Sequence, residues 1–464
     1  MSPGAPLLVY GLGRSGGAVV TRARRGGAPV LFIEARPTGP DVDAALAEGA
    51  VRAPDVDAAL RHDPPPRTCV AAPGVRIDHP DMVALRAAGV ETIGEVVWVL
   101  RGTPARTVGV TGTAGKGTVT RWITDGLLAA GVDAVAGGNI VPALAAVARP
   151  EATLVIELSS FQLERAPGLR PDVAVLLNLG VDHLDRHGTV AAYHEAKRGL
   201  LRELGPQQTL VGNADDPLVA AWLATSPARL RRYSLEGPAD AWCDRATGRL
   251  WLDGEPLIAR RDLRVVGEHQ HANAMAVALA LAALGVARPA IAAALAAFGG
   301  LPGRYAEVGR LGRVRFIEDS IATRPLAVAA ALRATEPPVV WIAGGVDKGA
   351  DVDELGPLLR GRVALTLGVG ASGPAYAEAA ARYGPAEVVA EADGRAALRA
   401  AVHRGYRLLR DRHGGRGAVL LAPLAASFDQ YRDYAERASV FREAVAELAR
   451  DVALAEGVTW TPSS

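Results

Sequence analysis

Short apolar runs that favour β-strands alternate with helical stretches along most of this 464-residue chain. Because a parallel pair of strands needs a long crossover connection, usually a helix, the alternation predicts an α/β fold with mostly parallel sheets. The predicted strands lie at residues 7–10, 30–34, 68–71, 107–110, 153–156, 173–177, 313–317, 339–343, 364–368 and 419–422. Residues 232–263 are richer in turns and short strands.

Two breaks in this pattern divide the chain into three predicted domains. The first lies near residues 102–104, ahead of a new strand, and the second is Gly299-Gly300-Leu301-Pro302-Gly303, whose composition is typical of a linker. We therefore predict a Rossmann-like domain at residues 1–102, a central domain at 103–302 and a second Rossmann-like domain at 303–464. A chain of this length with 49% hydrophobic residues can give each domain its own core.

The charge balance and the cysteines exclude several classes of protein. The net charge of +1 gives no field that would attract nucleic acid or an acidic membrane, and no apolar run is long enough to span a bilayer. Two cysteines, Cys69 and Cys243, cannot build a disulfide framework. The N-terminus has no positive leader before its apolar run, so we expect no signal peptide and a cytoplasmic location.

Lysine is rare in this chain, which gives the few lysines weight. Of the 51 lysines and arginines, three are lysine and 48 are arginine. A lysine here indicates a need that arginine cannot meet, either a compact ammonium group or an amine that can lose its proton. The lysines are Lys116, Lys197 and Lys348, and the equally scarce asparagines are Asn139, Asn178, Asn213 and Asn273.

A glycine-rich loop, Gly112-Thr113-Ala114-Gly115-Lys116-Gly117-Thr118, stands between a predicted strand and a helix that starts near residue 117. In this context backbone N–H groups and the helix N-terminus can bind a phosphate. Lys116 would reach the transferring phosphate, and Thr118 would offer its hydroxyl to Mg²⁺. The spacing differs from the usual Walker A motif, and an ordinary glycine-rich turn is the alternative. We predict a P-loop-type ATPase domain.

Polar residues follow the next predicted strands, where ligands of α/β proteins bind. Glu157 ends one strand and precedes a polar cluster that includes Ser159 and Gln162, and His183 follows another strand. These residues are candidates for a metal site, although a solvated carboxylate and a loop histidine are the alternatives. Lys197 beside metal ions would have a lowered pKa, and its neutral amine could take up CO₂ to become a carbamate.

These motifs occur in the order seen in the Mur ligases, and the chain resembles that family over nearly its whole length. The segments that carry the resemblance are residues 112–118, 157–162, 182–183, Lys197 and Gly267-Glu268-His269-Gln270-His271-Ala272-Asn273. The Lys-Gly-Thr form of the loop is similar to that of the related folate-polyglutamate ligases. Five further segments resemble the branch of the family that adds D-glutamate. They are residues 11–16, 72–74, 319–323, 344–349 and 423–431.

The resemblance implies roles for individual residues. For ATP it implies contacts from Gly112, Thr113, Gly115, Lys116, Gly117, Thr118, Asn273, Arg304 and Asp319. For two Mg²⁺ ions it implies the ligands Thr118, Glu157, His183 and Lys197, the last as a carbamate. For the nucleotide-sugar substrate it implies Ser15, Gly16, Glu34, Arg36, Gly74, Asn139, Ser159 and Gln162. For D-glutamate it implies Thr323, Lys348, Ser427 and Tyr434.

The resemblance also implies an activity. A monomeric, ATP-dependent acid–D-amino-acid ligase would join D-glutamate to UDP-N-acetylmuramoyl-L-alanine through an acyl phosphate, in cytoplasmic peptidoglycan precursor synthesis. Lys116, His183 and Lys197 would be its catalytic residues, with His183 helping to deprotonate the amine. Because the acyl phosphate must be kept from water, we expect the C-terminal domain to close over it, hinged near Pro302-Gly303.

Several positions depart from the usual pattern of the family. Ile321 stands where a lysine is common, and Arg324, where an asparagine is common, could supply the missing cation. Ala72 replaces a common serine, and Glu34 replaces the more usual aspartate. Ala114 and Gln270 each stand at a position where the family commonly has an asparagine.

Two other functions compete with a ligase. Gly11-Leu12-Gly13-Arg14-Ser15-Gly16 after a strand, with Glu34 about twenty residues on, is the dinucleotide fingerprint of nicotinamide oxidoreductases. That function leaves the loop at 112–118 without a role, and the same turn can receive the diphosphate of a UDP-sugar. The third possibility is a non-catalytic binding protein, suggested by Ile321 and Ala114.

Overall fold

A computed structural model describes residues 4–265, 267–301, 303–347, 349–391, 393–456 and 458–462. These residues form two compact units, one from Met1–Leu263 with His271–Ala297 and the other from Arg264–Gln270 with Phe298–Ser464. Two residues singled out by the sequence, Pro302 and Lys348, lie outside the described residues. The domain boundaries at residues 102 and 302 stay a prediction.

The first sheet of the first unit is parallel throughout and has the strand order β3-β2-β1-β4-β5. Its strands are β1 (Leu7–Tyr10), β2 (Val30–Ile33), β3 (Val51–Arg52), β4 (Thr68–Ala71) and β5 (Glu91–Ile93). The helices that connect and follow them are α1 (Gly13–Arg25), α2 (Pro40–Ala47), α3 (Val56–Leu60), α4 (Pro80–Ala87) and α5 (Glu95–Arg101).

The second sheet has the strand order β14-β13-β12-β11-β10-β9-β6-β8-β7 and is parallel from β7 to β12. Strands β12 to β14 extend it as an antiparallel edge. The strands are β6 (Thr107–Thr111), β7 (Ala134–Gly138), β8 (Thr153–Glu157), β9 (Val173–Leu176), β10 (Thr209–Asn213), β11 (Arg229–Ser234), β12 (Ala241–Asp244), β13 (Arg249–Leu252) and β14 (Glu255–Ala259).

The helices that follow in the chain are α6 (Lys116–Ala129), α7 (Leu144–Val147), α8 (Ser160–Leu163), α9 (Leu184–His187), α10 (Val190–Arg198), α11 (Pro217–Thr225), α12 (Glu268–Ala283) and α13 (Arg288–Ala297). Helix α6 buries Val119, Trp122, Ile123 and Leu127, which are apolar residues at helical spacing. Helix α12 begins at Glu268, within the segment 267–273 that carries the family resemblance. An acidic residue in a first turn is favourable to a helix.

The second unit contains one further sheet, with the order β19-β18-β17-β20-β16-β15-β21 within the described residues. Its strands are β15 (Ala306–Leu311), β16 (Arg313–Glu318), β17 (Val339–Ala343), β18 (Val363–Gly368), β19 (Ala386–Val388), β20 (Arg416–Leu421) and β21 (Trp460–Pro462). Its helices are α14 (Pro325–Ala334), α15 (Gly356–Leu359), α16 (Gly373–Ala380), α17 (Gly394–Arg412) and α18 (Tyr434–Glu456). Strand β15 is antiparallel to both neighbours, and the other pairs are parallel. The predicted α/β class is confirmed.

Polar contacts connect the two sheets of the first unit. The Arg22 guanidinium of α1 donates to the carbonyls of Ala145 and Ala148 at 3.3 and 2.8 Å and to Thr103 Oγ1 at 2.8 Å. From α5, the buried Glu95 accepts from the backbone N–H of Ala145 at 2.8 Å. These bonds join helices α1 and α5, which accompany the first sheet, to the segment around α7, which accompanies the second. Among the described residues, no helix is long and apolar enough to cross a membrane.

The burial of Glu95 predicts an unusual dependence of stability on pH. Burial raises its pKa from 4.5 to about 7, although two backbone N–H groups and Arg14 oppose the shift. Between pH 4.5 and about pH 7, the folded chain keeps a proton on Glu95 that the unfolded chain has lost. The unfolding free energy of the wild type therefore falls by about 3 kcal/mol as the pH rises through this range. We expect Glu95→Gln to remove this loss.

Denaturant unfolding of both proteins at pH 4.5 and pH 8 measures the effect. The stability of Glu95→Gln relative to the wild type should rise between the two pH values. The matched variant Glu91→Gln should show no such rise, because Glu91 is half-exposed and its ion pair with Arg101 lowers its pKa. Equal behaviour of the two variants would contradict the prediction.

Candidate active site

The glycine-rich loop connects β6 to α6, and Asn178, two residues after the end of β9, holds its backbone in place. The side-chain oxygen of Asn178 accepts from the N–H groups of Thr113 and Ala114 at 3.1 and 2.8 Å. Its amide nitrogen donates to the carbonyl of Ala114 at 3.1 Å. The contact at position 114 involves only backbone atoms, which explains how alanine can stand where asparagine is common.

Gly115, the residue before helix α6, needs to be glycine for two reasons. Its φ of 85° lies in the left-handed region, and a Cβ there would come within 2.8 Å of Asn273 Oδ1. Asn273, a predicted ATP contact, therefore lies directly against the loop. The helix that begins at Lys116 buries Thr118 in its first turn, so the predicted phosphate and Mg²⁺ residues share one helix N-terminus.

Both lysines of the first unit reach the same carbonyl. Lys116 Nζ donates to the carbonyl of Gly112 at 3.0 Å and to that of Thr113 at 3.0 Å. From helix α10, Lys197 Nζ donates to the Gly112 carbonyl at 2.7 Å. The two amino groups therefore lie close together, and the positive charge of Lys116 disfavours a second positive charge on Lys197. The structure thus brings together two residues that are 81 positions apart in the chain.

Lys197 is 1% exposed, and its Nζ lies 4.6 Å from the centre of the Tyr193 ring. Burial, and then the charge of Lys116, lowers the pKa of Lys197 to about 6. Its amine is therefore mostly neutral at pH 7. Tyr193 is part of the same arrangement, because its hydroxyl donates to Thr113 Oγ1 at 3.2 Å.

Glu157 lies at the carboxyl end of β8, and one of its oxygens is available to a cation. Asn139 Nδ2 donates to Glu157 Oε1 at 2.6 Å, and the Asn139 N–H donates to the Glu157 carbonyl at 2.9 Å. Within the described part of the chain, the buried Oε2 has no hydrogen-bond partner. A buried carboxylate oxygen without a donor is costly unless a cation binds it, so the residues present fit a Mg²⁺ ion.

His183 has a left-handed backbone, with φ of 52°, and its ring packs against Phe161 at 4.9 Å between centroids. Its Nε2 lies 3.5 Å from a carboxylate oxygen of Asp182. No group of three or more His, Cys, Asp or Glu side chains in the described residues is arranged to hold a metal. The predicted ligand set differs from such a group, because two of its four members are a threonine and a carbamate.

Ser159 and Gln162 form a capping box at the start of α8. The Gln162 side-chain oxygen accepts from the Ser159 N–H and hydroxyl, both at 3.0 Å, and the Gln162 N–H donates to Ser159 Oγ at 3.3 Å. The side-chain oxygen of Gln162 is therefore committed to the cap. Its amide nitrogen is the donor that the predicted contact with the sugar-peptide would use.

Three residues that the sequence did not single out connect the predicted substrate and metal segments. Glu164 lies 2.8 Å from Arg186 and 3.2 Å from the ring of His187. Arg186 also donates to the carbonyl of Gly74 at 3.0 Å, and His187 Nε2 lies 3.0 Å from Ser160 Oγ. The signal that could have found them is their position, since Arg186 and His187 follow His183 on one short helix.

At the N-terminal turn, Gly16 packs so closely that a Cβ would come within 2.0 Å of the Gly11 carbonyl oxygen. Glu34 stabilises the turn by accepting from the Leu12 N–H at 2.9 Å. Burial raises the pKa of Glu34, but bonds from Leu12 and Arg36 outweigh it and leave that pKa below its usual value. Ser15 lies half-buried in the first turn of α1. These predicted substrate residues therefore surround one helix N-terminus.

In the second unit, Asp319 follows β16 and is buried, which raises its pKa to about 7 with help from Glu318. The Arg304 N–H donates to the Leu301 carbonyl at 3.1 Å, and the Thr323 N–H donates to the Ile321 carbonyl at 2.8 Å. Among the remaining predicted residues of this unit, Ser427 is buried, while Tyr434 and Arg324 are exposed.

A buried arginine, Arg437, joins three loops of the second unit. Its guanidinium donates to Ser320 Oγ at 3.0 Å, to the carbonyls of Ser320 and Ala425 at 2.8 and 3.0 Å, and to that of Gly344 at 3.3 Å. Burial lowers its pKa to about 10, so it stays charged at neutral pH. Sequence reasoning missed this residue, because one arginine among 48 carries no signal.

Residues 110–281 match the family model for the Mur ligase middle domain. The chain is 44% identical to the UDP-N-acetylmuramoylalanine–D-glutamate ligase of Thermus thermophilus over 98% of its length and 99% of that protein. It is 42% identical to the ligase of the same name from Deinococcus radiodurans, over 96% of this chain and 93% of that one.

Solved structures resemble the fold at lower identity. UDP-N-acetylmuramate–alanine ligase from Thermotoga maritima has a TM-score of 0.56 at 18% identity and covers 96% of this chain and 99% of its own. MurF ligase from the same organism, solved in complex with ADP, has a TM-score of 0.58 at 17% identity and covers 91% and 96%. The comparisons favour a ligase over an oxidoreductase. The chain belongs to the Mur ligase family, within the UDP-N-acetylmuramoylalanine–D-glutamate ligases.

Proposed function

We propose that this chain uses ATP to join the amine of D-glutamate to the L-alanyl carboxylate of UDP-N-acetylmuramoyl-L-alanine, in peptidoglycan precursor synthesis. The relatives that are 42–44% identical over nearly the whole chain carry this activity in their names. The observation that carries the proposal is the pair of lysines, Lys116 and Lys197, whose amines both bind the Gly112 carbonyl of a glycine-rich loop. Such a loop is suited to a triphosphate.

Mg²⁺ is part of the proposal, with Thr118, Glu157, His183 and the carbamate of Lys197 as the residues that would hold two ions. The orphaned Oε2 of Glu157 and the neutral amine of Lys197 support this assignment. Bound Mg²⁺ supplies Lewis-acid polarisation and charge neutralisation at the phosphates.

In the proposed reaction, the substrate carboxylate attacks the γ-phosphorus of ATP and ADP leaves, which gives an acyl phosphate. Lys116 moves from its backbone carbonyls to the phosphate and neutralises the charge that develops there. The amine of D-glutamate, after losing a proton, attacks the acyl carbon, and the tetrahedral intermediate releases phosphate to leave the amide. His183 is our candidate for accepting that proton.

The substrate residues are proposals of the same kind. Ser15, Gly16, Glu34, Arg36 and Gly74 would bind the UDP end, and Asn139, Ser159 and Gln162 the sugar-peptide end. Thr323, Lys348, Ser427 and Tyr434 would bind D-glutamate, and Asn273, Arg304 and Asp319 would contact ATP. A compact ammonium such as that of Lys348 is a natural partner for a carboxylate.

Phosphate release measures the proposed activity. The purified protein is mixed with ATP, Mg²⁺ and UDP-N-acetylmuramoyl-L-alanine, and D-glutamate, L-glutamate, L-alanine or diaminopimelate is added in turn. We expect release that depends on the nucleotide-sugar and is fastest with D-glutamate. Absence of release with every amino acid would support the non-catalytic alternative, and a faster reaction with another amino acid would change the assigned substrate. Binding of NADH would instead support the alternative that the protein is a nicotinamide oxidoreductase.

A further inference from the structure

Three loops at the carboxyl ends of β16, β17 and β20 are bonded to one another in the second unit. The backbones of Val346 and Ala426 exchange hydrogen bonds of 2.8 and 3.0 Å, and the Gly344 N–H donates to the Pro423 carbonyl at 2.8 Å. The Leu424 N–H donates to the Ala322 carbonyl at 2.9 Å. Each of the three loops carries or adjoins a residue that we assign to D-glutamate, so their relative position determines the shape of the amino-acid site.

Tyr376 of helix α16 binds two of these loops from behind. Its hydroxyl donates to Asp347 Oδ1 at 2.7 Å and lies 3.3 Å from the carbonyl oxygen of Leu424. The same Asp347 oxygen accepts from the N–H groups of Gly349 and Ala350 at 3.0 and 3.1 Å. A single carboxylate oxygen thus binds the N–H groups of Gly349 and Ala350, and the tyrosine hydroxyl binds that same oxygen.

The tyrosine itself has little freedom to move. It is 4% exposed and packs in the apolar core formed by residues such as Leu355 and Ala380. Burial, together with the Asp347 carboxylate, raises the pKa of its hydroxyl well above the usual value, so the hydroxyl remains a donor at every working pH. A rigid donor that reaches two loops can fix their spacing, and nothing in the proposed chemistry uses it directly.

We propose that Tyr376 is a positioning residue for the amino-acid substrate: through Asp347 and Leu424 it fixes the loops that receive the carboxylates of D-glutamate. This inference rests on the proposed function. It assigns to Tyr376 an effect on the binding of the amino acid rather than of ATP or the nucleotide-sugar, because the bonds described for its hydroxyl run to Asp347 and Leu424.

The chain provides a matched control. Tyr383 lies in the same unit, and its hydroxyl donates to Asp353 Oδ1 at 2.9 Å, which is a second tyrosine–aspartate bond of similar length. Asp353 lies in the 3-10 turn Val352–Leu355, which follows the β17 loop in the chain and carries no residue that we assign to D-glutamate. Tyr376→Phe and Tyr383→Phe therefore remove the same kind of hydrogen bond and leave both rings in place.

The test measures the KM values of all three substrates for wild type, Tyr376→Phe, Tyr383→Phe and Asp347→Asn. For Tyr376→Phe and Asp347→Asn we expect the KM for D-glutamate to rise by about tenfold, since a buried bond to a charged acceptor is lost. Their KM values for ATP and for the nucleotide-sugar should stay within about twofold of the wild type. Tyr383→Phe should match the wild type in all three.

The possible failures are distinguishable. An active wild type with an unchanged D-glutamate KM in Tyr376→Phe overturns the inference and leaves the proposed function intact. A rise of all three KM values with a lowered Tm also overturns it, because that pattern indicates a merely structural role. A wild type that releases no phosphate with D-glutamate overturns the proposed function, and the inference fails with it.

Discussion

Lys116→Met is expected to lower kcat by about a thousandfold or more, because the charge that faces the transferring phosphate is lost. The ammonium group of Lys116 donates to two carbonyls of the glycine-rich loop, at the point where a helix N-terminus and the loop N–H groups would receive the γ-phosphate. Methionine keeps the apolar stem but removes the charge that offsets the one developing in phosphoryl transfer. Phosphate release at saturating substrates measures the loss.

Arg121→Met is the control for this substitution, since Arg121 lies on the same helix α6 and is not part of the loop. It should retain the wild-type rate within about twofold and the same thermal unfolding midpoint as Lys116→Met. If Lys116→Met kept a near-normal rate while folded, the assignment of this loop to the phosphate would be wrong.

The second large effect concerns Lys197. We expect the active form to be a carbamate, formed when the neutral amine attacks the carbon of CO₂ and a proton is released. The lowered pKa of about 6 leaves the amine neutral above that pH and protonated below it, so carbamate formation and activity should both decline as the pH falls through 6. Lys197→Met, which cannot form the carbamate, should lose at least about a hundredfold in kcat.

Removal and return of bicarbonate identify the chemistry. Degassed wild-type protein should lose activity and regain it when bicarbonate is added, and ¹³C-labelled bicarbonate should give a carbamate signal in its NMR spectrum. Lys197→Met should show neither effect. Arg198→Met, which alters the neighbouring and half-exposed cation, should behave as the wild type in both. An active, Mg²⁺-loaded enzyme with an unmodified Lys197 would refute the carbamate.

The fold could be predicted to a large extent because its signals are local. Strands β6, β8 and β17 are buried along their whole length and are built around short apolar stretches, and helix α6 shows the spacing of an apolar face. Sequence reasoning placed these elements within one or two residues. It did not find β21, because three residues near the end of the chain carry no periodicity and pair with β15 only through long-range contacts.

Some residues of the candidate sites could be predicted from local motifs, and others could not. Lys116 and Glu157 follow strands in recognisable motifs, so the sequence indicated them. Arg437 and Tyr376 lie far along the chain from the loops they bind, in helices of ordinary composition. Their importance is a property of the folded arrangement, which no local pattern encodes. The rarity of lysine helped with Lys197, and the abundance of arginine concealed Arg437.

The bonds from Asn178 to the backbone at positions 113 and 114 have a consequence for how such a loop can vary. The curvature of the loop is fixed by hydrogen bonds from Asn178, 64 positions away, so the side chain at position 114 does not have to stabilise it. Substitutions at position 114 should therefore have little effect on the loop. A substitution at position 178 would remove several hydrogen bonds at once. Among related proteins, we expect the residue type to vary at position 114 and to stay the same at position 178.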